Sequence, residues 1–333
     1  MLLNEIENIA EDEDYLTSLI KAPEDKTLAE LLYPQMRQVL RKLSTIEGAR
    51  TAVNAALSAL RNFASVFKIS VGEIEIGVEP TPGYADSGDL EFDVTEMFEL
   101  IGKAARTAGR GWALFIDEVQ YLKEKELAAI IVAVHRINQK SLPVVVFAAG
   151  LPQMAQLSGD TKSYSERLFT YPSVGALDAV AARDAIRNPL HKEDVEITDE
   201  ALARIVEKTE GYPFFIQEWG HHAWNVAEKS PITLEDVERA SVRALERLDR
   251  GFFKVRMDCL TNAEILYVNG MARLGRGPYK STDVANMLGK KPTSLGPTRA
   301  SIIQKGMIYS PSYGTVDFTV PLFDDFLRRR SGF

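Results

Sequence analysis

The stretch Trp112-Ala113-Leu114-Phe115-Ile116-Asp117-Glu118-Val119-Gln120 runs five apolar residues into two adjacent carboxylates. An unbroken apolar run of this length reads as a strand buried on both faces, the kind found in parallel sheets covered by helices. In an open parallel sheet the carboxyl ends of the strands face the ligand crevice, so Asp117 and Glu118 would both be delivered there. A plainer reading stays open, because an aspartate after a strand is also a good helix N-cap. Around this segment strand and helix alternate: a helix over 94–108, the strand over 112–116, a helix over 124–138 and a second apolar strand over 144–148. That order predicts the α/β class with a parallel sheet.

Working outward, residues 2–10 read as a helix and 15–20 as a short strand. Residues 28–43 and 49–63 space their apolar side chains as two amphipathic helices. Residues 66–78 alternate around Gly72-Glu73 and predict a hairpin, and 79–89 (EPTPGYADSGD) is a polar Pro/Gly-rich loop. The strands stop near Leu177, helices alone are predicted over 179–248, and a third composition begins at Leu260. Three domains are expected, over 1–176, 177–249 and 250–333, as a chain of 333 residues exceeds what one core usually supports.

Composition excludes several classes. At 45% hydrophobic and 26% charged the chain is an ordinary globular protein. It has no apolar run of about 18 residues, and seven acidic residues precede position 25, so neither a membrane span nor a signal peptide is expected and the protein is read as cytoplasmic. The one cysteine, Cys259, has no disulfide partner, and the four histidines lack metal-site spacing. The adjacent His221 and His222 read as helix surface. The net charge of −8 is unevenly spread: residues 250–333 hold thirteen Lys or Arg against six Asp or Glu, a net of +7, while the rest of the chain carries −15. An acidic body with a basic tail points to an anionic partner at the tail, usually nucleic acid.

The strand ending in Asp117-Glu118 resembles a Walker B motif. The second apolar strand leads into Gly150-Leu151-Pro152, then come Tyr164-Ser165-Glu166-Arg167-Leu168-Phe169 and the helix-breaking Gly211-Tyr212-Pro213-Phe214-Phe215-Ile216-Gln217. In this order, and over roughly residues 100–330, the chain resembles the AAA+/STAND P-loop ATPases of the archaeal-ATPase type, with the ASCE/AAA+ parallel-sheet core, a helical lid and a C-terminal winged helix. The resemblance implies ATP and Mg²⁺ as cofactors. Asp117 would hold magnesium through its water shell and Glu118 would polarise the attacking water. It further implies that Pro213 lies near the nucleotide, and that Arg167 reaches the phosphates of a neighbouring subunit in a homo-oligomer. A surface salt bridge is an equal reading for Arg167. Ala148, Ala149 and Gly150 depart from the family, since none carries a side chain able to sense the γ-phosphate.

The sequence contains no G-x-x-x-x-G-K-[ST] string. That loop is what wraps backbone N–H groups and a lysine around the phosphates. By the resemblance, Leu2-Leu3-Asn4-Glu5-Ile6-Glu7 corresponds to the helix just after it, so the Walker A loop and the strand before it, which lies beside the strand that ends at Ala148, are expected upstream; the alternative is a sheet rearranged or completed by another chain. ATP binding by this chain is accordingly expected to be weak or absent.

The tail parses as a winged helix: helices over 261–272, 281–288 and 294–305, a hairpin around Ser312-Tyr313-Gly314, and a closing helix over 322–330. Thr261 or Asn262 is the expected N-cap of the first helix and Thr282 that of the second. In helix-turn-helix recognition the second helix of the pair enters the major groove. That makes Lys290, Lys291, Thr293, Ser294, Thr298, Arg299 and Lys305, with Tyr313 on the wing, the candidate DNA contacts. Two functions stand side by side: an ATPase that couples nucleotide state to DNA binding, or a non-catalytic DNA-binding or protein-assembly module that keeps the fold.

Overall fold

A computed structural model describes residues 2–22, 26–69, 83–151, 165–172 and 174–331. They form two compact units, Met1–Pro172 and Ser173–Phe333. The first contains α1 (Leu2–Asp12), β1 (Tyr15–Lys21), α2 (Leu28–Ser44), α3 (Arg50–Val66), α4 (Leu90–Thr107), β2 (Gly111–Asp117), α5 (Glu124–Gln139) and β3 (Val144–Ala148). The three strands are parallel in the order β1-β2-β3, with Lys21 beside Asp117 and Ile116 beside Ala148. The central strand is the segment with the unbroken apolar run, and Trp112 through Ile116 are all buried.

Alternation along β2 distributes its side chains. Trp112, Leu114 and Ile116 join the core formed with α2, α3, α4 and α5, and Phe98 of α4 meets the Trp112 ring edge-on at 4.9 Å. The indole N–H donates to the buried Ser18 Oγ on β1 at 3.1 Å, so the one polar atom of Trp112 is satisfied inside the core. On the opposite face Phe115 stacks on Phe147 of β3 at 5.0 Å. Among the described residues β3 pairs with β2 alone, which leaves one edge of this strand without a ladder partner.

The helix starts follow their caps. Thr27 and Glu30 form a reciprocal capping box at α2. The buried Glu126 accepts from Leu28 N (2.8 Å) and Lys123 N (2.9 Å), so one carboxylate serves the first turns of both α2 and α5. Helix α4 begins at Leu90, a full turn before the expected 94, because Asp89 accepts from Phe92 N. The fully buried Asp93 then binds Ser87 and Gly88 in the loop ahead. The expected hairpin over 66–78 lies almost wholly outside the described residues; within them, Val66 ends α3.

The second unit opens with helices Ala179–Lys192, Asp199–Thr209, Pro213–Val226 and Leu234–Arg247. Trp219 is fully buried and donates to Ser241 Oγ at 2.9 Å. The last helix continues through a π-helical turn, Leu248–Phe253, into Lys254–Asp258. Phe253 packs against Phe215 of the helical part and against Phe323 and Phe326 of the tail. The segments read separately as 177–249 and 250–333 therefore share one hydrophobic core.

Within the tail the order is helix Asn262–Arg273, β4 (Tyr279–Lys280), helix Ser281–Met287, a 3₁₀ turn Pro292–Leu295, helix Gly296–Gln304, β5 (Ile308–Tyr309), β6 (Thr315–Phe318) and helix Phe323–Ser331. The strands form an antiparallel sheet in the order β4-β6-β5. Thr261 is the N-cap of the first helix and forms a capping box with Glu264. The second helix starts at Ser281 as expected, but Thr282 is not its cap: the N-cap is Lys280 at the end of β4, and Ser281 N donates to Gly314 O.

Candidate functional site

The carboxyl end of β2 is built from a strand and a tight turn. Asp117 is the last strand residue and is half-buried, and its Oδ1 accepts from Glu118 N at 3.0 Å. Glu118 sits in the left-handed region, φ 57° and ψ 40°. This conformation is uncommon for a residue with a β-carbon and costs on the order of 1 kcal/mol. It turns the chain directly into the 3₁₀ turn Val119–Tyr121. Asp117 does not cap a helix, so the plain N-cap reading of this pair does not hold.

Gln120 links this turn to β3. Its amide nitrogen donates to Glu118 Oε2, and its amide oxygen accepts from Leu151 N at 3.3 Å. Val119 N also donates to Ala149 O, and Ala149 N to Ile116 O. The segment Ala148-Ala149-Gly150 has no polar side chain of its own, and the structure places Gln120 across its end. Nothing in the sequence marks Gln120, because its partner, Leu151 N, is a backbone group 31 residues away.

Arg167 is exposed on the short helix Ser165–Leu168 and forms no ion pair with a described residue. Pro213 is exposed in the second unit, in the first turn of its helix, where proline fits without losing a hydrogen bond. Gly211 before it has φ +72°, and its carbonyl accepts from Leu177 N at 2.9 Å.

The second candidate site is the surface around helix Gly296–Gln304. Lys290, Lys291, Thr293 and Ser294 are exposed on the turn that leads into it, Thr298 is half-buried, and Tyr313 stands fully exposed on the hairpin. Two expected contacts are engaged by other parts of the tail. The Arg299 guanidinium donates to Ser310 Oγ at 3.0 Å and reaches Thr315 O at 3.5 Å, tying helix to hairpin. The Lys305 ammonium donates to Glu264 Oε2 at 2.7 Å and to Cys259 O at 2.9 Å. These partners lie 11 to 46 residues away in sequence, beyond the reach of periodicity or charge counting.

Glu264 is buried, and burial alone would raise its pKa. Hydrogen bonds from Lys305, Ser301 and Thr261 outweigh that and hold it at about 2. Because the folded-state pKa lies below the unfolded value, this stabilisation is full above the ordinary carboxylate range and is lost as pH falls toward 2. Glu264→Gln should therefore destabilise the second unit by on the order of 2 kcal/mol at neutral pH, since it strips Lys305 of its partner. Denaturant titrations at descending pH should show wild type and variant converging by pH about 2–3; a deficit independent of pH would rule out the ionised carboxylate as its source.

The same bookkeeping applies to the tail's net charge. Arg276 pairs with Glu210, Arg329 with Asp249, Arg250 with Glu246, and Arg328 with Asp324 and Asp325. Arg256 lies over the Phe252 ring at 4.7 Å. Among the described residues Lys254, Lys280, Lys290, Lys291 and Arg330 are exposed without a partner, so the accessible positive charge is much smaller than thirteen basic residues suggest. No helix among the described residues is long and apolar enough to cross a membrane.

Residues 250–327 match the family model of a domain of unknown function, DUF8462. No curated protein matches the sequence. Among solved structures, the Walker-type ATPase Paby2304 of Pyrococcus abyssi is similar over 98% of this chain and 95% of its own, at 16% identity and a TM-score of 0.50. The Orc1 protein of Aeropyrum pernix, solved in complex with DNA, aligns over 99% of this chain and 82% of its own at 13% identity and a TM-score of 0.40. The RuvB Holliday junction branch migration motor of Thermotoga maritima aligns over 71% and 81%, at 16% identity and a TM-score of 0.38. The chain thus has an α/β architecture like that of a Walker-type ATPase, with a three-stranded parallel sheet.

Proposed function

We propose that this chain is a DNA-binding protein built on the P-loop ATPase fold, with residues 250–333 acting as a winged helix on duplex DNA. The observation that carries this reading is the tail's element order, helix-strand-helix-helix-strand-strand, with its three short strands in one antiparallel sheet. In that arrangement helix Gly296–Gln304 is the groove-facing helix and Tyr313 tips the wing.

Asp117 and Glu118 occupy the strand end where an AAA+/STAND ATPase of the ASCE class holds its Walker B acids, and we assign them the magnesium-facing and base positions. With Oδ1 engaged by Glu118 N, the second oxygen of Asp117 has no described partner, which fits contact with a metal through water. Magnesium there would offset phosphate charge. Glu118, held by Gln120, would orient a water, and Arg167 and Pro213 remain the proposed trans-acting arginine and lid contact. Those roles require a phosphate cradle that this sequence does not contain. DNA binding does not require one.

A protein-assembly module is the second reading, favoured by the number of tail cations already engaged in ion pairs. Fluorescence anisotropy of the full chain with a labelled duplex at low salt, with and without Mg-ATP, separates these. We expect binding in the micromolar range, as for sequence-independent protein–DNA contacts, and an affinity that Mg-ATP leaves within about twofold, since the phosphate loop is missing. Absence of any complex favours the assembly reading. A larger nucleotide effect would mean that the chain binds ATP by other means.

A further inference from the structure

We infer that the tail grips duplex DNA without reading its sequence, through phosphate contacts by Lys280, Lys290 and Lys291. This rests on the DNA-binding reading above and concerns what that surface can discriminate.

Sequence readout in the major groove needs side chains that match a base edge at two points: Arg or Lys on guanine, Asn or Gln on adenine. On helix Gly296–Gln304 and its final turn the two cations are unavailable. Arg299 is built into the base of the hairpin, where Ser310 Oγ in turn donates to Thr315 O at 2.8 Å, so withdrawing Arg299 toward DNA would break a connected set of bonds. Lys305 neutralises the buried Glu264, which also holds Ser301. The exposed positions left on the helix are Gly296, Pro297, Ala300 and Gln304. The first three offer no side-chain hydrogen bond at all.

Gln304 is the one side chain there able to pair with a base at two points, but it lies eight residues beyond Gly296, about 12 Å along the axis. Helix-turn-helix proteins touch base edges mainly from the N-terminal part of this helix. Thr293 and Ser294 carry hydroxyls, which accept either partner and discriminate poorly, and Ser294 Oγ already donates to Lys291 O at 2.7 Å.

The unpaired cations lie outside this helix. Lys290 and Lys291 immediately precede the turn into the helix. Lys280 sits on β4 opposite Thr315, next to the Ser281 N to Gly314 O bond that holds the hairpin carrying Tyr313. A neutral helix face entered from Lys290 and Lys291, with Lys280 exposed on β4 of the same tail, suits the regularly spaced phosphates of a duplex, with the helix entering the groove as a shape.

The test is anisotropy of the full chain on several unrelated duplexes of about 25 base pairs over a salt series, beside a pool enriched by in vitro selection. We expect affinities within about threefold of one another and no enriched consensus, against the roughly thousandfold or greater preference of specific readers. Three phosphate contacts predict a log–log salt slope of about −2.7, a roughly 40-fold loss between about 50 and 200 mM salt. Lys290→Ala/Lys291→Ala should flatten the slope to about −0.9 and leave the ratios between sequences unchanged. Gln304→Ala should change neither slope nor ratios. A selected duplex bound about 100-fold more tightly than the others would overturn the inference while the DNA-binding reading stands. Failure to bind any duplex at the lowest salt would overturn both.

Discussion

Gly211→Ala is expected to destabilise the C-terminal unit by about 2–4 kcal/mol while leaving the sheet-containing unit unchanged. Gly211 has φ +72°, and a β-carbon there would stand 2.4 Å from Leu177 O. The same glycine's carbonyl accepts from Leu177 N, so the substitution cannot relax without opening the bond that closes the start of this unit. Immediately after it, the Tyr212 ring lies 5.0 Å from that of the fully buried Phe215. The strain is thus transmitted to the first turn of helix Pro213–Val226, whose packing positions Trp219 in the core.

Amide exchange measures this locally. Protection of helix Pro213–Val226 should fall by roughly 30- to 1,000-fold, with β2 as an internal reference that does not change. Gly220→Ala provides the contrast, since a β-carbon at Gly220 meets nothing within 4 Å and the residue is mid-helix. That substitution should be neutral or stabilising by up to about 1 kcal/mol. Equal behaviour of the two variants would remove the backbone argument for the Gly-Tyr-Pro segment.

The sequence carried those parts of the fold whose causes are local. The unbroken apolar runs of β2 and β3 marked buried parallel strands, and residues 144–148 were placed without error. Thr261 was legible as a cap because its capping partner is three residues away. Parts with distant causes were not legible. The two-residue strand β4 exists only because β6 returns beside it, and this puts the helix N-cap at Lys280 rather than at Thr282. Helix α4 gained a turn because Asp89 and Asp93 organise the loop before it, a job that apolar periodicity does not register.

The candidate sites divide in the same way. Lys290, Lys291 and Tyr313 are exposed as expected because little in the fold competes for them. Arg299 and Lys305 looked like equivalent members of a basic face, and each is taken up by a partner elsewhere in the tail. A net charge of +7 therefore overstates the tail's unpaired positive charge, since four of its arginines pair with carboxylates, three of them on residues before 250. At the strand end the position of Asp117 and Glu118 follows from the apolar run before them, whereas the left-handed turn at Glu118 and its hydrogen bond from Gln120 have no sequence signal.

The central claim is that duplex DNA is held by the tail and that the sheet-containing unit is not part of the contact. Hydrogen exchange of the full chain with and without saturating duplex at low salt tests it most directly. Segments 290–298 and 312–314 should exchange more slowly in the complex, by about fivefold or more where DNA covers their amides, while β1, β2 and β3 keep their free-state rates. Slowed exchange centred on the strands, or an unchanged tail under conditions where the complex is formed, would contradict the account.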